Sequence, residues 1–346
     1  MPSCVIHSIL TILFFTATAS AQFDFHQTRP GSEQYLGGPR LGKSQSQIYR
    51  VGIILEPGTA LVAATVAIPV PMAWREQRII SVNEEKMSAG MASQIEYPII
   101  NGGAQEMQIQ LGKTIPTRTL ELVIEVELEN YELLPPENTG QYSIPKRVPR
   151  DVERYLKESP CIEAKEAVFA KMYTDITKYR QTDWDKVEAL YSFVQKNVKY
   201  DHRAWSKPAK GALAVTKMPR GQWSGDCKDM SCLFVALCRA GKIPARIVRV
   251  PEHCYAEFYL EMKQEKAPRN AMLPGFWFPC QVSGTYSFGG IPEKRVILQK
   301  GDSFPDAEKP RMNTLWLKPS FQGTHVTGSP DPQHSWVQET VVKEND

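Results

Sequence analysis

The chain has 346 residues, of which 42% are hydrophobic and 23% charged, a composition typical of a globular protein with room for one large or two medium cores. Its formal net charge of +3 is small, and the sequence has no Lys/Arg-rich run interleaved with aromatic residues. The sequence therefore does not indicate nucleic acid or an anionic membrane surface as a partner.

Residues 1–21 differ in composition from the rest of the chain. An apolar run from Val5 to Phe15 is too short to span a bilayer, and Ala19 and Ala21 give a small-x-small cleavage pattern after it. This pattern predicts a signal peptide and a secreted or periplasmic protein, with no stable membrane insertion after cleavage. The segment before the apolar run has no lysine or arginine, so an uncleaved anchor stays open as the alternative.

The next part of the chain has the character of an all-β domain. Residues 22–47 are rich in Gly, Pro, Ser and Gln, which predicts a poorly ordered leader. Short, alternating, β-branched segments separated by Gly and Pro then fill residues 48–130 and predict an antiparallel β sandwich. This region contains no constellation of catalytic residue types. A proline-rich linker is predicted over residues 131–149.

Helical periodicity begins at Arg150, and segments of strand character follow the helices. Helices followed by antiparallel strands predict an α+β domain over residues 150–322. Residues 323–346 are predicted to form a polar C-terminal tail. The expected architecture is therefore an N-terminal β sandwich joined to a C-terminal α+β domain.

Cys227 has the most activating sequence context of the cysteines beyond the predicted signal peptide. Ser224 or Asp226 can cap the helix that starts there, and Met230 begins an apolar stripe with three-to-four spacing. A helix N-terminus stabilises a thiolate through its unpaired N–H groups and its dipole. From spacing alone, a second interpretation stays open, in which Cys227 is a small apolar residue at the head of a buried helix.

Four sequence blocks follow one another in a definite order: WSGDC, RAGKIPAR, HCYAEFYL and GFWFPCQ. In this order they resemble the transglutaminase-like superfamily, over about residues 183–302. The resemblance implies a papain-like α+β fold with Cys227 as the nucleophile and His253 as the general base. The sequence departs from the family at Gln281, where an aspartate is usual. A neutral amide can still orient an imidazole, but it gives less electrostatic help than a carboxylate.

A pair of residues that precede the nucleophile in the sequence are candidates for the wall of the active-site cleft. Gln222 and Trp223 could lend a donor or a wall to an oxyanion hole, whose other donor would be the backbone N–H of Cys227. The spacing leaves a plain packing role for Trp223 equally open. The sequence has neither an HExxH motif nor a pair of CxxC motifs, so no metal or other cofactor is expected.

A disulfide is predicted from the register of the two strands that carry His253 and Gln281, which the resemblance places beside the nucleophile. If these strands are antiparallel neighbours with His253 opposite Gln281, then Cys254 falls opposite Cys280. Directly opposed residues are close enough to be bridged with a modest twist. A Cys254 to Cys280 disulfide is therefore predicted, and two buried free thiols are the alternative.

The function implied by the resemblance is acyl transfer at amide or peptide bonds through a thioester on Cys227. The partner would be a protein or peptide substrate. Hydrolysis, by a protease or amidase, is the preferred outcome over transfer to an amine by a cross-linking transglutaminase. The neutral Gln281 supports a third hypothesis, a catalytically silent binding module.

Overall fold

The computed structural model describes residues 37–58, 61–84, 87, 92–113, 118–204, 206–264, 272–309, 311–326, 331 and 333–343. The predicted signal peptide and the first part of the predicted leader lie outside these residues. Within the described ranges, no helix is both long enough and apolar enough to cross a membrane.

The secondary structure changes from strands to helices and back to strands along the chain. The first strands are β1 (Arg40–Leu55), β2 (Leu61–Val70), β3 (Gln77–Asn83), β4 (Ala92–Glu96), β5 (Ile99–Ile100), β6 (Ala104–Leu111), β7 (Leu120–Leu134) and β8 (Tyr142–Ser143). The middle elements are α1 (Arg150–Glu153), α2 (Ala167–Thr177), α3 (Asp183–Asn197), β9 (Lys199–Tyr200), α4 (Ala212–Thr216), β10 (Ser224–Gly225) and α5 (Cys227–Ala240). The last strands are β11 (Ala245–Val250), β12 (His253–Met262), β13 (Gly275–Cys280), β14 (Gln299–Lys300), β15 (Phe304–Pro305), β16 (Asn313–Thr314), β17 (Ser320–His325) and β18 (His334–Val342).

Two antiparallel sheets share one hydrophobic core in the N-terminal half, which confirms the predicted sandwich. One sheet has the order β18-β1-β7-β3, and the other runs β13-β12-β11-β14-β6-β2-β17, with β4 and β5 on β6 and β8 on β12. Alternate residues of β1, including Val51 and Ile53, are buried together with Ile124 of β7 and Ile68 of β2. The period of two in these strands puts one face in the core.

Two segments predicted to be irregular contain strands of this sandwich. β1 begins at Arg40, inside the predicted leader, and β18 lies inside the predicted tail, where it pairs with β1. The tail prediction was wrong because β18 is an edge strand, and Val337 is the one residue of it that is buried. Its sequence therefore looks polar although the backbone is fully part of the sheet. The domain boundaries themselves stay predictions.

The larger sheet continues from the sandwich into the helical half of the protein. Within the predicted linker, β7 of the smaller sheet extends to Leu134, and β8 joins the larger sheet by pairing with β12. Tyr142 of β8 is completely buried, and its hydroxyl accepts a hydrogen bond from the Gly38 N–H at 2.9 Å. β14 then pairs with β6 at Gln299 and Ala104. The proline-rich segment is thus an ordered part of the fold.

The central element of the C-terminal half is the helix α5. Every residue from Cys227 to Arg239 is buried, because α5 packs on β11 and β12 and is contacted by α2, α3 and α4. A helix that is buried on all sides belongs to a core. α5 ends at Gly241, and the chain turns through the positive φ of Lys242 before Pro244 starts the path into β11. The predicted helix and the α+β class are confirmed.

A buried ion-pair network ties the sandwich to the C-terminal strands. The ammonium of Lys300 lies 2.6 Å from a carboxylate oxygen of Glu257 and also contacts Glu76. Arg246 pairs with the other oxygen of Glu257 at 2.7 Å. The side chains of Lys300, Glu257 and Glu76 are only 4%, 2% and 7% exposed. Because each charge has lost its hydration, removing one member leaves the others uncompensated.

Candidate active site

Cys227 is the first residue of α5, and Asp226 caps this helix. The Asp226 Oδ1 accepts hydrogen bonds from the N–H groups of Lys228 and Asp229 at 2.9 and 3.2 Å. Asp226 also pairs with the buried ammonium of Lys228 at 2.9 Å. The thiol of Cys227 is thus fixed at the positive end of a core helix, where a thiolate is stabilised.

His253 is brought to this thiol by the turn that connects β11 with β12. Glu252 adopts a positive φ of 55° there, and His253 follows as the first residue of β12. The imidazole lies close enough to the Cys227 thiol for each group to shift the pKa of the other. The structure therefore brings the two predicted members of the catalytic pair together.

Gln281 holds the far side of the His253 ring. Its Oε1 lies 2.9 Å from the ring Nε2. An amide oxygen can only accept, so Nε2 carries a proton and Nδ1 is the nitrogen left to interact with the thiol. The backbone fixes Gln281 in this place, because its N–H donates to Ser287 at 2.8 Å and its C=O accepts from Gln195 at 3.3 Å.

The electrostatics of the pair favour a thiolate. The Cys227 pKa is lowered to about 5, first by a hydrogen bond from the Cys254 thiol and then by the hydrogen bond and charge of His253, which together outweigh the opposing effect of burial. Burial works to lower the His253 pKa, but the hydrogen bond and charge of Cys227 prevail and the pKa is raised. The arrangement is suited to an imidazolium–thiolate pair.

Cys254 and Cys280 are both free thiols, so the predicted disulfide is wrong. In the observed register Cys280 lies opposite Ala256, and Cys254 is diagonal to Cys280. Diagonal neighbours are roughly 7–8 Å apart, which exceeds what a disulfide spans. The prediction failed because Gln281 lies beyond the end of β13 and not opposite His253. Cys254 instead faces α5, with its sulfur 3.9 Å from the Ser231 hydroxyl.

The two residues predicted beside the oxyanion hole differ in their surroundings. Gln222 is exposed in a turn, and its backbone N–H donates to Pro219 at 2.9 Å. The Trp223 indole donates to the Met218 carbonyl at 3.1 Å, and its ring packs edge-on against Phe193. The Trp223 indole N–H is therefore already hydrogen-bonded, and the ring packs as part of the wall. The N–H of Cys227 stays the predicted oxyanion donor.

A surface cleft that includes Tyr200 was not predicted from the sequence. Its lining includes Tyr200, Gln195, Trp223, Met230 and Val282. The short parallel pairing of β9 with β10 places Tyr200 beside Gly225, two residues before Cys227. Burial, and then the Cys227 charge, raise the Tyr200 pKa, as expected if the hydroxyl lies near the sulfur. Cys227 itself is fully buried and does not line this cleft, whose nearest link to the thiol is Tyr200.

Comparison with known proteins finds a family match within the C-terminal half. Residues 170–279 match the family described as the transglutaminase-like superfamily. The chain carries a transglutaminase-like domain. A solved structure from Cytophaga hutchinsonii, described as a proposed cysteine protease, has a TM-score of 0.56 and 15% identity, covering 89% of this chain and 94% of its own. An uncharacterized protein of Haemophilus influenzae is 30% identical over 189 residues, or 52% of this chain, which spans only 47% of that relative's length.

The matched part of the transglutaminase-like domain contains Cys227 and His253 but ends before Gln281. Sequence reasoning also missed Glu293, whose Oε1 accepts a hydrogen bond from the Gln281 Nε2 at 3.0 Å. Asp302, another carboxylate in this region, pairs with Arg239 at 2.7 Å and lies near the opposite end of α5 from Cys227. The carboxylate behind the imidazole is therefore Glu293, and the order of sequence blocks carries no signal for it.

Proposed function

We propose that this protein is a thiol enzyme that hydrolyses amide or peptide bonds through a thioester on Cys227. The observation that carries the proposal is the placement of His253 between Cys227 and Gln281: the Gln281 Oε1 lies 2.9 Å from the His253 Nε2, and the neighbours of Cys227 lower its pKa to about 5. Strongly perturbed pKa values with specific partners cluster at functional sites. A cysteine that only fills a core needs no partner that stabilises its thiolate.

Each group has a defined role in the proposed reaction. The Cys227 thiolate attacks the carbonyl carbon, and the carbonyl oxygen becomes an oxyanion facing the Cys227 N–H. The C–N bond breaks as the His253 imidazolium protonates the leaving amine, which leaves a thioester. His253, now neutral, removes a proton from water, which attacks the thioester and releases the acid. The thiolate and the imidazolium are then restored.

The substrate is proposed to be a protein or peptide outside the cytoplasm. The cleft lined by Tyr200, Trp223 and Met230 offers aromatic and apolar walls for a peptide chain, and the charge of Cys227 acts on Tyr200. The apolar run and small residues of the N-terminus support export. The structural relative of Cytophaga hutchinsonii, described as a proposed cysteine protease, supports hydrolysis over transfer to an amine. The second candidate, a silent binding module, is favoured by the uncharged Gln281 alone.

The proposal predicts a covalent acyl adduct that can be trapped. Purified protein is incubated with a library of peptides that end in a fluorogenic amide. The reaction is quenched in acid, and the mass of the protein is measured by mass spectrometry. We expect a peptidyl adduct on Cys227 that hydroxylamine removes, together with release of the fluorophore. Cys161→Ala, which removes a different and half-buried free thiol, should behave like the wild type.

The same incubation separates the alternatives. Cys227→Ala should lose both adduct and release. When an alkylamine is added, hydrolysis predicts that the free acid stays the main product, whereas a cross-linking enzyme would give mostly the amide. A wild-type chain that binds peptides from the library but forms no adduct with any of them would be a binding module, and the enzymatic proposal would be lost.

A further inference from the structure

The side chain of Gln281 bridges two groups, because its two amide atoms face in different directions. Its Oε1 lies 2.9 Å from the His253 Nε2, and its Nε2 donates to the Glu293 Oε1 at 3.0 Å. A carboxylate accepts and cannot donate when ionised, so Glu293 fixes which end of the amide faces the imidazole. The four groups therefore lie in the order carboxylate, amide, imidazole and thiol.

From this geometry we propose that Glu293 is a positioning residue, whose negative charge acts through the Gln281 amide to orient and stabilise the His253 imidazolium. The inference rests on the proposed function of the Cys227 and His253 pair. It gives the site a carboxylate in spite of the neutral residue at position 281. Hydrogen bonds in a chain polarise one another, so an amide that donates to a carboxylate becomes a better acceptor for the imidazole N–H.

Other charged groups near Glu293, Gln281 and His253 affect how strongly the Glu293 charge acts on the imidazole. Arg295 pairs with Glu293 at 2.7 Å, and the two side chains are 46% and 37% exposed, so water and salt screen this pair. The charge of Arg295 also works to lower the His253 pKa. On the inner side, Glu76, Tyr131 and Tyr255 line a small cavity with Glu293 and Arg295. Cys227 is the charged group that raises the His253 pKa.

Because Glu and Gln side chains have the same shape, the carboxylate at position 293 and the amide at position 281 can be exchanged by substitution. Glu293→Gln keeps an acceptor for the Gln281 amide but removes the charge. The double variant Gln281→Glu with Glu293→Gln places the carboxylate directly on the imidazole and the amide behind it, with the bridge retained. Arg295→Gln serves as the matched control, because it removes a charge of opposite sign from the same cluster.

The readouts are two titrations that do not depend on turnover. One is the pH dependence of Cys227 alkylation by iodoacetamide, and the other is the NMR titration of the His253 ring. For Glu293→Gln we expect a less stable imidazolium, so the His253 pKa falls. The alkylation midpoint should then move up by about half to one pH unit, and the alkylation rate at pH 5 should drop by about twofold to fivefold. The double variant should return both midpoints to the wild-type values or beyond.

Arg295→Gln should shift the His253 titration in the opposite direction, because its charge disfavours the imidazolium. Coincident titrations for wild type and Glu293→Gln would overturn the inference. So would a double variant that stays as impaired as Glu293→Gln, since that result would mean that Glu293 acts only through packing. If the titrations behave as expected but no peptide amide is cleaved, the inference stands and the proposed function fails.

Discussion

His253→Ala is expected to lower kcat/KM on a peptide amide by about 10³-fold, within the range of about 10²–10⁴ usual for a general acid–base group. The variant loses both the imidazolium that pairs with the thiolate and the proton donor for the leaving amine. The Cys227 pKa should also rise, because one of the hydrogen bonds that lower it is gone. Steady-state assays with the best peptide amide from the library measure the effect.

The matched control is His202→Ala, which removes an exposed histidine from a short 3-10 turn. It should keep kcat/KM near the wild-type value. A His253→Ala variant that retains kcat/KM within about tenfold of the wild type would mean that another group moves the proton. The assignment of His253 as the general base would then be wrong.

Lys300→Met is expected to lower the free energy of unfolding by about 3–5 kcal/mol, the usual cost of breaking a buried pair by removing one partner. Methionine fills similar space but leaves Glu76 without the ammonium that it contacts and Glu257 with Arg246 alone. Both carboxylates are nearly inaccessible to water and cannot be rehydrated without opening the structure. Urea unfolding followed by circular dichroism measures the change.

An exposed ion pair provides the control for this experiment. Lys343 lies 2.6 Å from Glu127, with side chains 41% and 35% exposed. Lys343→Met should therefore change the free energy of unfolding by less than about 1 kcal/mol. If both variants lose the same small amount of stability, the buried network does not hold the sandwich to the C-terminal strands.

Much of the fold could be predicted because the decisive signals are local. The cap at Asp226, the apolar stripe of α5 and the stop at Gly241 all lie within one short segment. The alternating strands of the sandwich are equally visible, because a period of two in side-chain polarity marks one buried face. The edge strand β18 was missed because its exposed residues hide that period.

The parts of the site that could not be predicted depend on long-range geometry. Register is set by packing and by where strands end, and a shift of two residues separates Cys254 from Cys280 while leaving the sequence pattern unchanged. Glu293 lies in an irregular segment after β13, where no periodicity shows its direction. Its contact with Gln281 exists only because the loop folds back behind the imidazole.

The measurement that tests the central claim most directly is the pH dependence of alkylation at Cys227, followed residue by residue by mass spectrometry. Cys161 is the internal control, because it is a half-buried free thiol whose pKa is raised by burial and by the Glu163 charge. We expect Cys227 to react with a midpoint near pH 5, in keeping with its lowered pKa, and Cys161 to react only in the alkaline range. A Cys227 midpoint close to that of an ordinary cysteine, about 8.5, would contradict the account.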